Sequence, residues 1–121
     1  MVSRENKEFA KSIDLCKKII SEYPKSNYYA PAIYMIADIS YNNLKNYVEA
    51  KDYFNQFEKL NLENELTPIA IYISGFIYEY HLNKSDSAII KYEKFIQQYP
   101  NHKYSEIVQT ELQILKNETG N

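Results

Sequence analysis

Apolar positions recur three and four residues apart along most of the chain. Phe9, Ile13, Cys16, Ile19, Ile20 and Tyr23 form one stripe, with Lys7, Lys11, Asp14, Lys17 and Lys18 opposite. This predicts an amphipathic helix over 3–23, wet on one side and stopped by Pro24. A second helix over 31–43 opens on Pro31. It is apolar nearly all round (Ala32, Ile33, Tyr34, Met35, Ile36, Ala37, Ile39, Tyr41), so most of its sides are expected to be covered. Asn42 and Asn43 offer a left-handed stop. The third helix, over 47–60, has a single stripe of Tyr47, Ala50, Tyr53, Phe54, Phe57 and Leu60.

The run 66–78 carries no charge at all. Its β-branched and aromatic residues would suit a strand. Thr67 followed by Pro68, however, reads as a hydroxyl cap with proline at the first helical position. The register described next decides for a helix over 67–81. A fifth helix over 85–99 places Ala88, Ile89, Tyr92, Phe95, Ile96 and Tyr99 inward and ends at Pro100. The sixth, over 104–116, carries Ile107, Val108, Leu112, Ile114 and Leu115 and is wetter; 117–121 read as a frayed tail.

Shifted by 38 residues, the chain matches itself. Ser12, Ala50 and Ala88 align, as do Cys16, Phe54 and Tyr92, and Ile19, Phe57 and Phe95. In the alternate helices Ala32, Ala70 and Val108 align, as do Ile39, Ile77 and Leu115; Tyr34 meets Tyr72 and Ala37 meets Gly75. Tyr23–Pro24 returns two periods later as Tyr99–Pro100, each followed by a tyrosine, Tyr28 and Tyr104. Two helices per period signal a stacked helical repeat, because one unit cannot bury both its faces. The small residues mark close helix crossings, and the large ones beside them fill the remaining volume.

This pattern resembles the tetratricopeptide repeat over about residues 4–116. One repeat is carried by Tyr34, Ala37, Tyr41, Ala50 and Phe54, and the next by Tyr72, Gly75, Ala88, Tyr92 and Pro100. Ser12, Cys16 and Pro24 supply a second-helix half in front. The resemblance implies an all-α, right-handed helical solenoid of six antiparallel helices: two full repeats with a half at each end, forming a single domain over 1–121. The family period is about 34, so the longer period departs from it; so do Leu62 in place of proline and Glu79 in place of tyrosine. The longer linker with its Tyr-Pro and following tyrosine looks more like a bacterial envelope subset: outer-membrane-assembly lipoproteins and the Tol–Pal-associated division coordinator. The resemblance also implies a concave groove at Met35, Ile39, Asn42, Ile73, Ile77, Tyr80, His81 and Glu111. A carboxylate clamp for acidic C-termini is missing, since Met35, Ile39, Ile73 and Ile77 stand at its positions. Two readings of an apolar groove stay open: peptide binding through apolar anchors, or tight curvature that packs these residues on one another.

Charge sharpens this picture. With 14 basic and 16 acidic residues, net −2, and no basic block, neither nucleic acid nor an anionic membrane is an expected partner. No run approaches the roughly 20 apolar residues of a membrane span. Thirteen tyrosines and no tryptophan suit repeat cores and interfaces. Cys16 is expected to be a small core thiol. His81 and His102 stand alone, so no metal, cofactor or catalysis is expected. The expected activity is that of a non-catalytic scaffold for a protein or peptide, and so few repeats favour self-association into a homodimer. The alternatives are a component of a cell-envelope complex and a regulatory fragment of a larger signalling protein. The sequence as given has no signal peptide, which reads as cytoplasmic; an envelope fragment would be periplasmic.

Overall fold

The computed structural model of the chain describes residues 4–118, all of whose regular structure is helical. The contacts divide it into two compact units, Met1–Asn61 and Leu62–Asn121. The first holds α1 (Arg4–Glu22), α2 (Tyr29–Asn42) and α3 (Tyr47–Lys59), with α2 packed on both of the others. The second holds α4 (Leu66–Tyr80), α5 (Ser85–Gln98) and α6 (Ser105–Glu118), with α5 in the middle place. Six helices and no strand among the described residues make this an all-α helical repeat fold, as the periodicity predicts. Ser3 and residues 119–121, part of the expected first helix and tail, lie outside the described residues. Asn117 and Glu118 belong to α6 rather than to a tail.

The 38-residue period holds down to single hydrogen bonds. After α2, the amides of Asn43 and Leu44 both donate to Ile39 O, and Asn46 N donates to Ser40 O. After α4, one period on, His81 and Leu82 donate to Ile77 O, and Lys84 N to Tyr78 O. Lys45 and Asn83, at matching positions, take the left-handed backbone with φ of 56° and 55°. The left-handed stop therefore falls at Lys45, not at Asn42–Asn43; Asn43 has an ordinary φ of −107°. Backbone hydrogen bonds of the turn already fix the geometry there, so a lysine is held where asparagine or glycine would be easier.

The linkers repeat as closely. Tyr28 N donates to Ser26 Oγ, Leu66 N to Asn64 Oδ1, and Tyr104 N to His102 Nδ1. One register position thus supplies a side-chain acceptor before each of α2, α4 and α6. This displaces the expected start of α4: Asn64 is the capping group, accepting also from Thr67 N. The Thr67 hydroxyl instead donates back to Leu62 O at 2.7 Å. The helix then begins at Leu66, and α2 begins at Tyr29, two residues ahead of Pro31. Proline is tolerated anywhere in the first turn, where its missing N–H has no partner to lose.

Each unit buries its own core. In the first, Ile13, Cys16, Ala32 and Ile36 cluster with Ile19, Ile20, Ile39, Leu44 and Tyr53 around them. The Tyr34 ring stands edge-on to Phe54 and Phe57, with centroids 5.6 and 5.1 Å away. In the second, Ile71, Ala88, Tyr92, Phe95, Val108 and Leu115 form the core. Tyr72 packs on Tyr92 and Phe95 there, as Tyr34 does one period earlier. The fully buried rings of Phe54, Phe57 and Phe95 each stabilise by about 1.5–3 kcal/mol. The small residues sit where expected: Ala37, Ala50, Ala70 and Ala88 are fully buried. Gly75 lies so close to α5 that a Cβ would stand 2.5 Å from Tyr92 Cε1.

Candidate partner-binding surfaces

In the first unit the surface in question is one side of α2. Met35 is half exposed at 49%, Ile39 is half-buried against the core cluster, and Asn42 is exposed. The Asn42 amide donates to Asp38 Oδ1 at 2.8 Å, one turn back, which fixes how it presents its carbonyl.

In the second unit the surface lies at the C-terminal end of α4. Ile73 is half-buried; Tyr80 and His81 are exposed. Ile77 is fully buried, which corrects its expected place on a binding surface: it has no side-chain area to offer a ligand. The reason lies in α4 itself. A helix apolar on nearly every side is covered on nearly every side, and Ile77 sits one turn in from the open end. Phe76 stacks on Tyr80 with centroids 4.5 Å apart and approaches His81 at 6.0 Å, so the aromatic group at this end is pre-ordered. The Tyr80 hydroxyl donates to Glu111 Oε2 on α6 at 2.9 Å.

Beneath that bond is a group the motif reading treated only as a departure. Glu79 is the single charged residue of α4, and its Oε1 accepts from the Tyr92 hydroxyl at 2.8 Å. Desolvation pushes its carboxyl up to about 7, with the neighbouring Glu111 carboxylate adding to the rise and the Tyr92 bond opposing it. The tyrosines respond in turn. Tyr80 is pushed up to about 12, chiefly because its proton is held on Glu111. Burial, then the bond to Glu79, drives Tyr92 far upward, and Tyr72 rises mainly through burial. A carboxyl that keeps its proton near neutral pH can donate as well as accept, so Glu79 and Glu111 can share a hydrogen bond without two facing negative charges. A lone charge in an otherwise uncharged helix was the available signal; its partner Tyr92 was visible only as a core aromatic.

Elsewhere the described residues hold no group of three or more side chains able to ligate a metal. Cys16 is buried, and burial raises its thiol, which leaves it unreactive. No described helix is long and apolar enough to cross a membrane.

Helix pairs alike down to their turns, with half-exposed apolar side chains on the first helix of each pair, define a helical repeat protein. The tetratricopeptide repeat model matches residues 31–61 and 70–102, together more than half of the chain. The chain belongs to the tetratricopeptide repeat family. No curated protein matches it. Repeats of this family generally mediate protein–protein contacts, and proteins built of them are typically scaffolds rather than enzymes.

Proposed function

We propose that the protein is a non-catalytic scaffold whose α2 and α4 surfaces grip a protein or peptide partner. Met35, Ile39 and Asn42 are the contact residues on α2; Ile73, Tyr80 and His81 are those on α4, with Glu111 of α6 steadying Tyr80. The observation that carries the reading is the pairing on each surface of an apolar side chain with an ordered polar one: Met35 beside Asn42, and Tyr80 held by Glu111. Apolar anchors supply affinity and the polar groups supply direction. Nucleic acid is not the partner, since the chain has net charge −2 and no basic cluster. The test is capture from native extract with the wild type, Met35→Asp and Tyr80→Ala, each confirmed as helical by circular dichroism. A partner retained by the wild type and lost by either variant is the expected result. Identical capture by all three would sink the assignment of these surfaces.

A second reading makes the scaffold part of a bacterial envelope complex acting in outer-membrane assembly or division. It is favoured by the long linker, in which Tyr23–Pro24 and Tyr99–Pro100 precede turns with the same hydrogen bonds two periods apart. A leader with a lipid-attachment cysteine upstream in the gene is what it expects; a fused cytoplasmic signalling module there would overturn it.

A further inference from the structure

In the second unit two phenols and two carboxyls are joined across three helices. Glu79 of α4 accepts from the Tyr92 hydroxyl of α5 at 2.8 Å, and Glu111 of α6 accepts from the Tyr80 hydroxyl of α4 at 2.9 Å. The two carboxyls also face each other. Each phenol has one proton and spends it on a carboxyl. A hydrogen bond between Glu79 and Glu111 therefore needs one proton more, carried by one of the two carboxyls.

Packing does not explain this set. One period earlier Tyr41, Asn42 and Phe54 stand in place of Glu79, Tyr80 and Tyr92. Phe54 is as fully buried as Tyr92, without a hydroxyl. Tyr41 meets Tyr47 at 5.8 Å, and Asn42 bonds within its own helix, to Asp38. The same helix pair thus closes with no carboxyl at the place of Glu79, and a desolvated carboxyl costs stability by comparison.

The two carboxyls differ in their freedom to move. Glu79 is half-buried and tied to a ring that cannot shift, since Tyr92 is fully buried against Gly75. Glu111 lines an open pocket on α6 with Glu106, Ile107 and Thr110, so its side chain has room to turn into water. From α6, Glu118 adds a further carboxylate that acts on both Glu79 and Tyr80. From α4, Tyr72 faces Glu79 and Glu111. Of the basic groups on the packed helices, Lys91 of α5 crosses α4 at Gly75, a turn before Glu79, and Lys116 of α6 pairs with Glu93 of α5 at 3.2 Å. When the extra proton leaves, Glu79 and Glu111 become facing like charges, and Glu111 is the one able to retreat.

We propose that Glu79, Glu111 and Tyr80 form a proton-operated latch on the α4 surface. With one proton shared between the carboxyls, Glu111 is held in place and fixes the Tyr80 ring on Phe76; with both ionised, Glu111 turns to solvent and the ring is released. The role in binding rests on the reading above that Tyr80 contacts the partner. Acid then favours the ordered, binding-ready surface, because a partner no longer has to immobilise the ring itself.

The latch is tested on the free, isotope-labelled full chain by following the side-chain carboxyl carbons of Glu79 and Glu111 and the ring signals of Tyr80 from pH 5.5 to 8.5. The Tyr80 and Glu111 signals are expected to move together with the titration of Glu79, around pH 7. Tyr80 loses its own proton only near pH 12, so its ring cannot report itself in this range. In Glu79→Gln the amide keeps donating to Glu111, and the Tyr80 signals should stay at their acid-side positions throughout. In capture from native extract, the wild type should hold its partner roughly two- to tenfold less well at pH 8 than at pH 6, and Glu79→Gln equally at both. Tyr80 signals that stay constant while Glu79 titrates overturn the latch, as does a Glu79→Gln variant that keeps the wild-type shift. The ring measurement needs no partner, so the latch can fail while Tyr80→Ala still loses capture, and the surface can fail while the latch stands.

Discussion

Gly75 shows how one atom can decide a position. Alanine is the better helix former by about 1 kcal/mol, and Ala37 fills the matching place one period earlier. Here a Cβ would meet Tyr92 Cε1 at 2.5 Å and Cδ1 at 2.8 Å. The ring has nowhere to retreat: it is fully buried and tied to Glu79 through its hydroxyl. Gly75→Ala is therefore expected to destabilise by about 1–3 kcal/mol despite its propensity gain. Urea denaturation measures this, and the double variant Gly75→Ala/Tyr92→Leu should recover part of the loss through its coupling. A stabilised single variant would show that the helices separate freely at this crossing. The pairing of a glycine with a large ring was legible in the 38-residue register, because the two full repeats set a small residue beside a large ring, Ala50 beside Phe54 and Ala88 beside Tyr92. That Glu79 would reach the same ring was not legible, since a carboxylate in a helix ordinarily reads as solvated.

At the scale of elements, the helices were legible because their stripes are long and two of their stops are prolines, Pro24 and Pro100. Their starts were less so. Thr67–Pro68 gave the stronger local signal for the start of α4, yet the acceptor is Asn64, a polar residue inside a polar connection and indistinguishable by type from its neighbours. What identifies it is its bonding: Ser26, Asn64 and His102 occupy one register position and each accepts from the amide two residues on. Asn64 Oδ1 takes bonds from Leu66 N at 2.9 Å and Thr67 N at 3.2 Å. Asn64→Ala should cost about 1 kcal/mol, whereas Asn64→Ser should retain most of the stability, because Ser26 does the same work before α2. Chemical denaturation of the two variants checks this; equal losses would assign the effect to the loop backbone rather than to the cap. The misplacement of Ile77 has a related cause. The groove positions follow from the family pattern, but burial follows from what covers α4, and a helix apolar on nearly all sides keeps its two ends most open, Leu66 at one and Tyr80 with the adjoining His81 at the other.

For the molecule as a whole, the half-buried carboxyl of Glu79 makes stability depend on pH in an unusual direction. Glu79 is raised from 4.5 to about 7 in the folded state, first by desolvation and then by Glu111. Between those values the unfolded chain has lost this proton while the folded chain still holds it. The unfolded state then binds fewer protons, so stability falls as pH rises across that window and levels off above about 7. Most carboxylates act oppositely, being stabilised as anions by partners in the folded state. The contribution is on the order of 1–2 kcal/mol after allowance for the solvent that still reaches the group. Glu79→Gln keeps an acceptor for the Tyr92 hydroxyl and a donor for Glu111 but has no proton to lose. It should therefore unfold at the same urea concentration at pH 5 and pH 8, while the wild type becomes less stable over that interval. Glu111→Gln removes the neighbouring charge and should narrow the wild-type window from its upper end. A wild-type midpoint that rises from pH 5 to pH 8, with Glu79→Gln following it, would place the controlling carboxylate elsewhere and leave Glu79 ionised beside Tyr92.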